Sequence, residues 1–360
     1  MDAIINVHPS VRLDAQYNDN IYSTPNKTGD RILVLTPALQ LETRIGTNSY
    51  KLRLATAIGE YQSNRSENYT NTNLNGLAEL NLGTRLRARL EADYLDGVDP
   101  RGSTNNALTS TPDHYHQTQG RGIVSFGAPS ARGHMDLELG QVRRDYVNNR
   151  DTTAGSDRVT SDAGLTFYWR TGPKSTLLFQ GKRSVIDYVL PTSTLGSVEM
   201  AYLAGVQWDL SAKTSGTFRA GVTKKDFDDP ARAASTRPSW TGAVRWSPRT
   251  YSHVDLSLSR QPAETSGSVG DFIDRTSTAA RWTHAWSTTV TTEAFASYLT
   301  DAYQGAARTD NTQNYSARAT YRMRRWLSFG GDYARTVRNS DDSNFDYKRN
   351  VLMVFVNAAL

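Results

Sequence analysis

Two stretches of the chain carry charge at a spacing that could hold a ligand or brace a wall. In Arg85-Leu86-Arg87-Ala88-Arg89-Leu90-Glu91-Ala92-Asp93 every second residue is charged and those between are aliphatic, and Lys51-Leu52-Arg53-Leu54 repeats the pattern. A row of arginine forks can grip the carboxylates or phosphates of an anionic solute bidentately. Neighbouring acids at Glu79, Glu91, Asp93, Asp136 and Glu138 would keep that grip weak enough for release. The same residues can instead pair across strands and stiffen a wall. The two signs are close to balance, so the spacing leaves both readings open.

A second candidate is His114-Tyr115-His116 directly after Asp113, two imidazoles at i, i+2 beside a carboxylate. That is part of a metal-ligand set, but no further ligand group stands near it in the sequence. It reads as a surface loop, and no metal is assigned. There is no G-x-S-x-G elbow, no H-E-x-x-H and no phosphate-binding G-x-x-x-x-G-K-[ST], and cysteine is absent. The expectation is a protein that is not an enzyme and needs no cofactor.

What must position these side chains is a β-strand, because only there do successive residues face opposite sides. About eighteen segments show this alternation, the first over 5–22, the fifth over 84–97 and the last over 345–360. Short turns recur at Gly46-Thr47-Asn48, Gly83-Thr84, Ala128-Pro129-Ser130, Gly172-Pro173-Lys174, Ala212-Lys213, Ser247-Pro248-Arg249, Ser287-Thr288 and near Arg325. Between them lie longer polar loops at 23–30, 64–68, 98–113, 148–156, 190–196, 229–235, 265–270, 303–309 and 340–344. Strict alternation of short and long connections predicts one all-β domain over 1–360, a transmembrane antiparallel up-and-down barrel with short periplasmic turns and longer external loops. Both termini then fall on the periplasmic side of a bacterial outer membrane.

Parity assigns the faces. Sets such as Leu52/Leu54/Ile58, Met135/Leu137/Leu139 and Leu165/Phe167/Trp169 face lipid. Lys51, Arg53, Glu79, Arg85, Arg87, Arg89, Glu91, Asp93, Asp136, Glu138, Arg219, Arg245, Arg281, Arg318 and Arg322 face the lumen, where a solute would pass. Trp169, Trp208, Trp246, Trp286 and Trp326 stand beside short turns and predict an aromatic girdle there. Tyr22, Tyr61, Tyr94, Tyr146, Tyr188 and Tyr347 predict a second girdle at the long-loop end. The loop 98–113 is the longest and is expected to fold inward as a constriction.

Bulk properties agree. A mean hydropathy of −0.57 and an apolar content of 38% rule out spans of ~20 apolar residues, but suit strands that are apolar on one face only. The net charge of +5 on 360 residues is too small to indicate a nucleic-acid partner. Met1-Asp2-Ala3 runs almost directly into Ile4-Ile5-Asn6-Val7, without the basic and apolar regions of a secretory signal, and reads as a mature chain with an added start Met. The last segment, Arg349 to Leu360, sets Leu352, Val354, Val356, Ala358 and Leu360 on one face. It resembles the C-terminal signal read by barrel-assembly machinery, with Leu in place of the usual terminal aromatic.

Tyr17-Asn18-Asp19-Asn20-Ile21-Tyr22, followed by Pro37-x-Leu39-x-Leu41, Arg44-x-Gly46 and Tyr50-x-Leu52, resembles the EpsL-like outer-membrane β-barrel porins encoded with bacterial exopolysaccharide or capsule synthesis machinery. The resemblance implies a passive conduit for a polysaccharide, working with a periplasmic polysaccharide-export protein that has no outer-membrane span of its own. It supplies no binding motif to carry over. A general diffusion porin, or a plugged barrel that docks a periplasmic partner, is the alternative.

Overall fold

A computed structural model of the chain describes residues 4–104, 108–128, 130–211, 213–266 and 269–360. Eighteen strands hydrogen-bond into one sheet. They are β1 (Ile5–Asn18), β2 (Asp30–Ile45), β3 (Asn48–Tyr61), β4 (Tyr69–Asn81), β5 (Leu86–Val98), β6 (His114–Phe126), β7 (Gly133–Tyr146), β8 (Arg158–Gly172) and β9 (Ser175–Tyr188). Then follow β10 (Ser197–Ser211), β11 (Thr214–Phe227), β12 (Ser235–Arg249), β13 (Ser252–Ala263), β14 (Phe272–Ala285), β15 (Val290–Gln304), β16 (Arg308–Arg324), β17 (Leu327–Ser340) and β18 (Tyr347–Ala359). Each pairs antiparallel with its sequence neighbours, and β1 also pairs with β18, with Leu13 opposite Val356 and Tyr17 opposite Leu352. Closure leaves no strand edge unpaired, which an apolar solvent demands. No helix among the described residues is long and apolar enough to cross a membrane.

The hairpin from β2 to β3 shows why the short connections can be so tight. Gly46 takes φ +62°, a left-handed conformation that a side chain resists, and the strands reverse within two residues. Pro129 and Ala212 of two expected turns, and 105–107 and 267–268 of two expected loops, lie outside the described residues. Several boundaries differ from the expectation: the turn expected at Ser247-Pro248-Arg249 lies inside β12, and the chain reverses at 250–251 instead. The connection at 303–309 is a tight turn of 305–307 with Gly305 at φ +78°, because alternation continues on both sides of it. β5 begins at Leu86, so Arg85 belongs to the short turn and not to the lumen wall. β1 stops at Asn18. Asn20 and Ile21 then tuck inside, fully and almost fully buried, with Asn20 Nδ2 donating to the carbonyls of Thr24 and Lys348.

The apolar parity faces outward as expected, leaving large side chains such as Leu54, Leu137, Leu139, Leu165 and Phe179 exposed on the outside of the barrel. Leu137 lies between Val124 and Leu165 on the adjoining strands. Leu137→Arg is therefore expected to destabilise the barrel in liposomes by about 2–4 kcal/mol, whereas Glu138→Gln on the opposite face changes it little. Urea unfolding followed by tryptophan fluorescence distinguishes the two; equal effects would reverse the assignment of faces.

Trp169, Trp246, Trp286 and Trp326 are exposed at the short-turn end, and Trp208 is half-buried beside Gly216. The tyrosines expected to form the other girdle mostly face inward. Only Tyr94 of the expected set faces out. Tyr146 and Tyr347 are buried, Tyr188 donates inward to Glu264, Tyr22 donates to Asn64, and Tyr61 packs edge-on against Tyr69. Tyr17, Tyr202, Tyr298, Tyr315 and Tyr333 join Tyr94 on the outside instead. Height along a strand had chosen the first set, but a girdle residue must also have the outward parity.

Candidate functional site

The interior face carries a ladder of cross-strand ion pairs. Arg121 on β6 grips Glu138 on β7 with Nε and Nη2 at 3.0 and 2.9 Å, and its other terminal nitrogen lies 3.7 Å from Glu91. Arg89 meets Glu91 at 2.6 Å and Glu79 at 3.5 Å, and Lys51 meets Glu42 at 3.2 Å. Farther round the wall Arg245 binds Asp255 through two bonds, Arg281 meets Glu293 at 3.0 Å while lying over Phe295, and Arg318 meets Asp332 at 2.9 Å. Arg89 and Glu91 are two residues apart on β5; the other partners sit directly opposite one another on adjoining strands or one residue pair along, so strand register brings them together.

The remaining candidates behave differently. Asp93 accepts from Asn75, Glu79 also accepts from Ser49, and Arg53 stands opposite Gln40 and Asn75. Arg219 donates to Gln180 at 3.3 Å, while its Nε, the Nε of Arg87 and one oxygen of Asp136 are buried without a hydrogen-bond partner. Arg322, opposite Ser328, is exposed near the turn into β17. Of the basic cluster inferred from sequence, Lys51 and Arg89 are neutralised in place, while Arg53 faces only amides. The pairs are wet and contribute little to stability. Arg121, Glu138, Asp162, Lys182, Arg219 and Glu264 line a polar recess of about 470 Å³ on the inner wall.

At the long-loop end the interior is crowded by inward-reaching arms. The segment after β5 leans over β1 to β4 towards β17, where Arg338 donates to the carbonyl of Gly102 at 3.1 Å. Gly102 itself lies against Ser23 and Tyr347, too close for any side chain. Arg101 fixes this arm. It donates from Nε and Nη2 to the carboxylate of Glu67 at 2.9 and 2.7 Å and from Nη2 to the carbonyl of Thr109 at 2.9 Å. At its root Asp99 accepts from Arg144 and, at 2.6 Å, from Tyr146. Between this arm, the short helix α1 (Arg150–Thr153) and the 343–345 turn lies a recess of about 590 Å³.

A second arm leaves β13. Glu264 crosses to Tyr188 at 2.7 Å and to Lys225 at 2.7 Å, and Lys225 also meets Glu199 at 2.9 Å. The carbonyl of Ser266 accepts from Ser156 on the loop after β7. Lys225 is 1% exposed, so its ammonium depends on those two carboxylates. On the far side Asp310 accepts from Arg308, Arg338 and Ser340. Asp19 joins the first loop to β18 through Lys27 and Asn350; burial pushes its carboxyl up, but those donors outweigh burial and hold it below the ordinary range.

The segment 98–113 therefore reaches inward in its described part, and the anchors of the two arms are residues that parity did not single out. Glu67, Arg101, Lys225, Glu264 and Arg338 lie in loops or at strand ends, where alternation no longer reports facing. Their burial in spite of charge is visible only once the loops are placed.

The family model described as "Putative beta-barrel porin 2" matches residues 6–360. Three solved Pseudomonas aeruginosa structures share the fold. OccK5 (OpdH) has a TM-score of 0.53 at 10% identity, covering 99% of this chain and 98% of that one. The outer membrane protein opdK has a TM-score of 0.53 at 12% identity, covering 99% of both chains. OccK3 (OpdO) has a TM-score of 0.53 at 12% identity, covering 99% and 96%. At such identities the likeness is one of fold. No curated protein matches the chain in sequence.

Proposed function

Because the chain belongs to the beta-barrel porin 2 family, whose model spans residues 6–360, we propose that it is an outer-membrane channel through which a polysaccharide, exopolysaccharide or capsule, leaves the cell. The observation that carries this reading is the paired lining. With Arg121 held by Glu138, Arg245 by Asp255 and Arg281 by Glu293, the wall offers many hydrogen-bonding groups and much of its charge is compensated. A sugar polymer can exchange weak bonds along such a wall as it slides, while a strong fixed-charge trap would arrest it. Phe295, half-buried beneath Arg281, adds apolar surface to the interior. The EpsL-like residues of the first three strands support the same class of cargo.

The start of β1 and the end of β18 lie at the short-turn end, where the Leu360 amide donates to the carbonyl of Pro9 and Ile5 stands opposite Thr43. In the proposed orientation that end faces the periplasm and receives the polysaccharide-export protein, while outer-membrane lipids cover the outward apolar face. A general diffusion porin is the second reading, favoured by the inward arms, which would set a size limit for small solutes. Single-channel conductance in planar bilayers separates the two. Oligosaccharides added to one side are expected to block the open current, more strongly with increasing length. Open channels that ignore sugars of every length would leave the diffusion porin, and a silent barrel would make the mouth network a plug.

A further inference from the structure

The geometry points to a divalent transition-metal site formed by Asp96, His114 and His116 on the outer face of the barrel. His114 and His116 are two residues apart on β6 and so share a face, and Asp96 on β5 is the direct pairing partner of His116. The carboxylate stands between the two rings, with one oxygen in contact with His114 Nε2 and 3.6 Å from His116 Nε2. One ligand atom from each residue falls within 4.8 Å of the others. The imidazoles meet edge-on at 5.5 Å and are only partly buried, so small rotations can bring all three donors onto one ion.

The surroundings favour this set over its neighbours. Asp113, next to His114 in sequence, is turned away and accepts from Asn149. Asp145, opposite His116 on its other side, is held by two bonds from Arg143. Asp96 remains as the carboxylate that both rings can reach. The backbone is fixed on each side, since the His114 amide donates to Asn148 and the Val98 amide donates to Asn71. Tyr94, exposed on the outside two residues below Asp96, packs its ring 6.2 Å from His116.

Two imidazoles and one carboxylate suit zinc, nickel or copper. Magnesium and calcium prefer all-oxygen shells. Three protein ligands leave a position of a four-coordinate ion open to water. Asp96 and His114 also flank the root of the 98–113 arm, so an ion there would tie together the two ends of the segment that leans over the mouth.

The test uses the full chain without an affinity tag, refolded in detergent and stripped with a chelator, then titrated calorimetrically with zinc chloride and, separately, with cobalt(II) read by visible absorption. The expected result is a single zinc ion per chain and cobalt bands typical of a four-coordinate ion. His114→Ala and His116→Ala should each weaken zinc binding by at least roughly tenfold, and Asp96→Asn should weaken it with both rings intact. His134→Gln, stacked on Tyr168 at the other end of the barrel, should leave it unchanged. Heat-modifiable gel mobility confirms that each variant has folded. No zinc on the folded wild type, or equal binding by wild type and the His114→Ala/His116→Ala double variant, overturns the site.

Discussion

Lys225→Met is expected to destabilise the barrel by about 3–5 kcal/mol, the usual cost of removing one partner from a buried ion pair. The ammonium is almost completely buried and meets Glu199 at 2.9 Å and Glu264 at 2.7 Å, with Phe227 and Phe272 closing around it. Taking the charge away leaves two carboxylates facing each other in a site with little water. One must then be protonated or swing out, and if it is Glu264 the arm after β13 loses its hold on Tyr188. The midpoint of guanidinium unfolding in detergent reads the loss. Combining Lys225→Met with Glu199→Gln and Glu264→Gln should restore most of it, because the set is again free of unpaired charge. An unchanged midpoint for the single variant would mean that the arm is not anchored here.

Arg101→Ala should open the mouth. Glu67 is buried to 3% exposure, and Arg101 supplies its compensating charge while also gripping Thr109 and lying over Tyr22. Losing that partner penalises the inward position of the arm by ~3 kcal/mol or more, and ~3 kcal/mol corresponds to roughly a hundredfold change in its population relative to an outward one. The expected readout is a rise in single-channel conductance together with protease cleavage within 100–111. Arg101→Ala with Glu67→Gln should return both towards wild type, since the amide can remain inside without a countercharge. Cleavage without a change in conductance would show that the arm moves but does not set the width of the pore.

Both experiments concern residues at the mouth, where sequence and structure part company. Along the wall, alternation was sufficient. Arg89, Glu91 and Asp93 could face only one way once Leu90 and Tyr94 faced lipid, and the register then delivered Arg121 to Glu138 and Arg245 to Asp255. Arg85 failed because the same parity was extended one residue past the end of the strand. The tyrosines failed for a related reason. Tyr146 and Tyr188 occupy the right height but the inward parity, and there their hydroxyls find Asp99 and Glu264. His114 and His116 were conspicuous as a pair, yet Asp113 was their nearest carboxylate in sequence and Asp96, eighteen positions back, is the one in contact.

The sequence by itself determined the closed all-β barrel and, through alternation, which residues of a strand share a face. Period-two alternation is a local property, and lipid on one side enforces it at ~2–4 kcal/mol for each charge misplaced at the midplane. Only the tertiary structure decided which loops turn inward and what holds them there. Glu67 meets Arg101 across 34 residues, Lys225 meets Glu264 across 39, and Arg338 meets Gly102 across 236. Such contacts form between segments that closure of the barrel brings to one rim, and no spacing within either segment encodes the other.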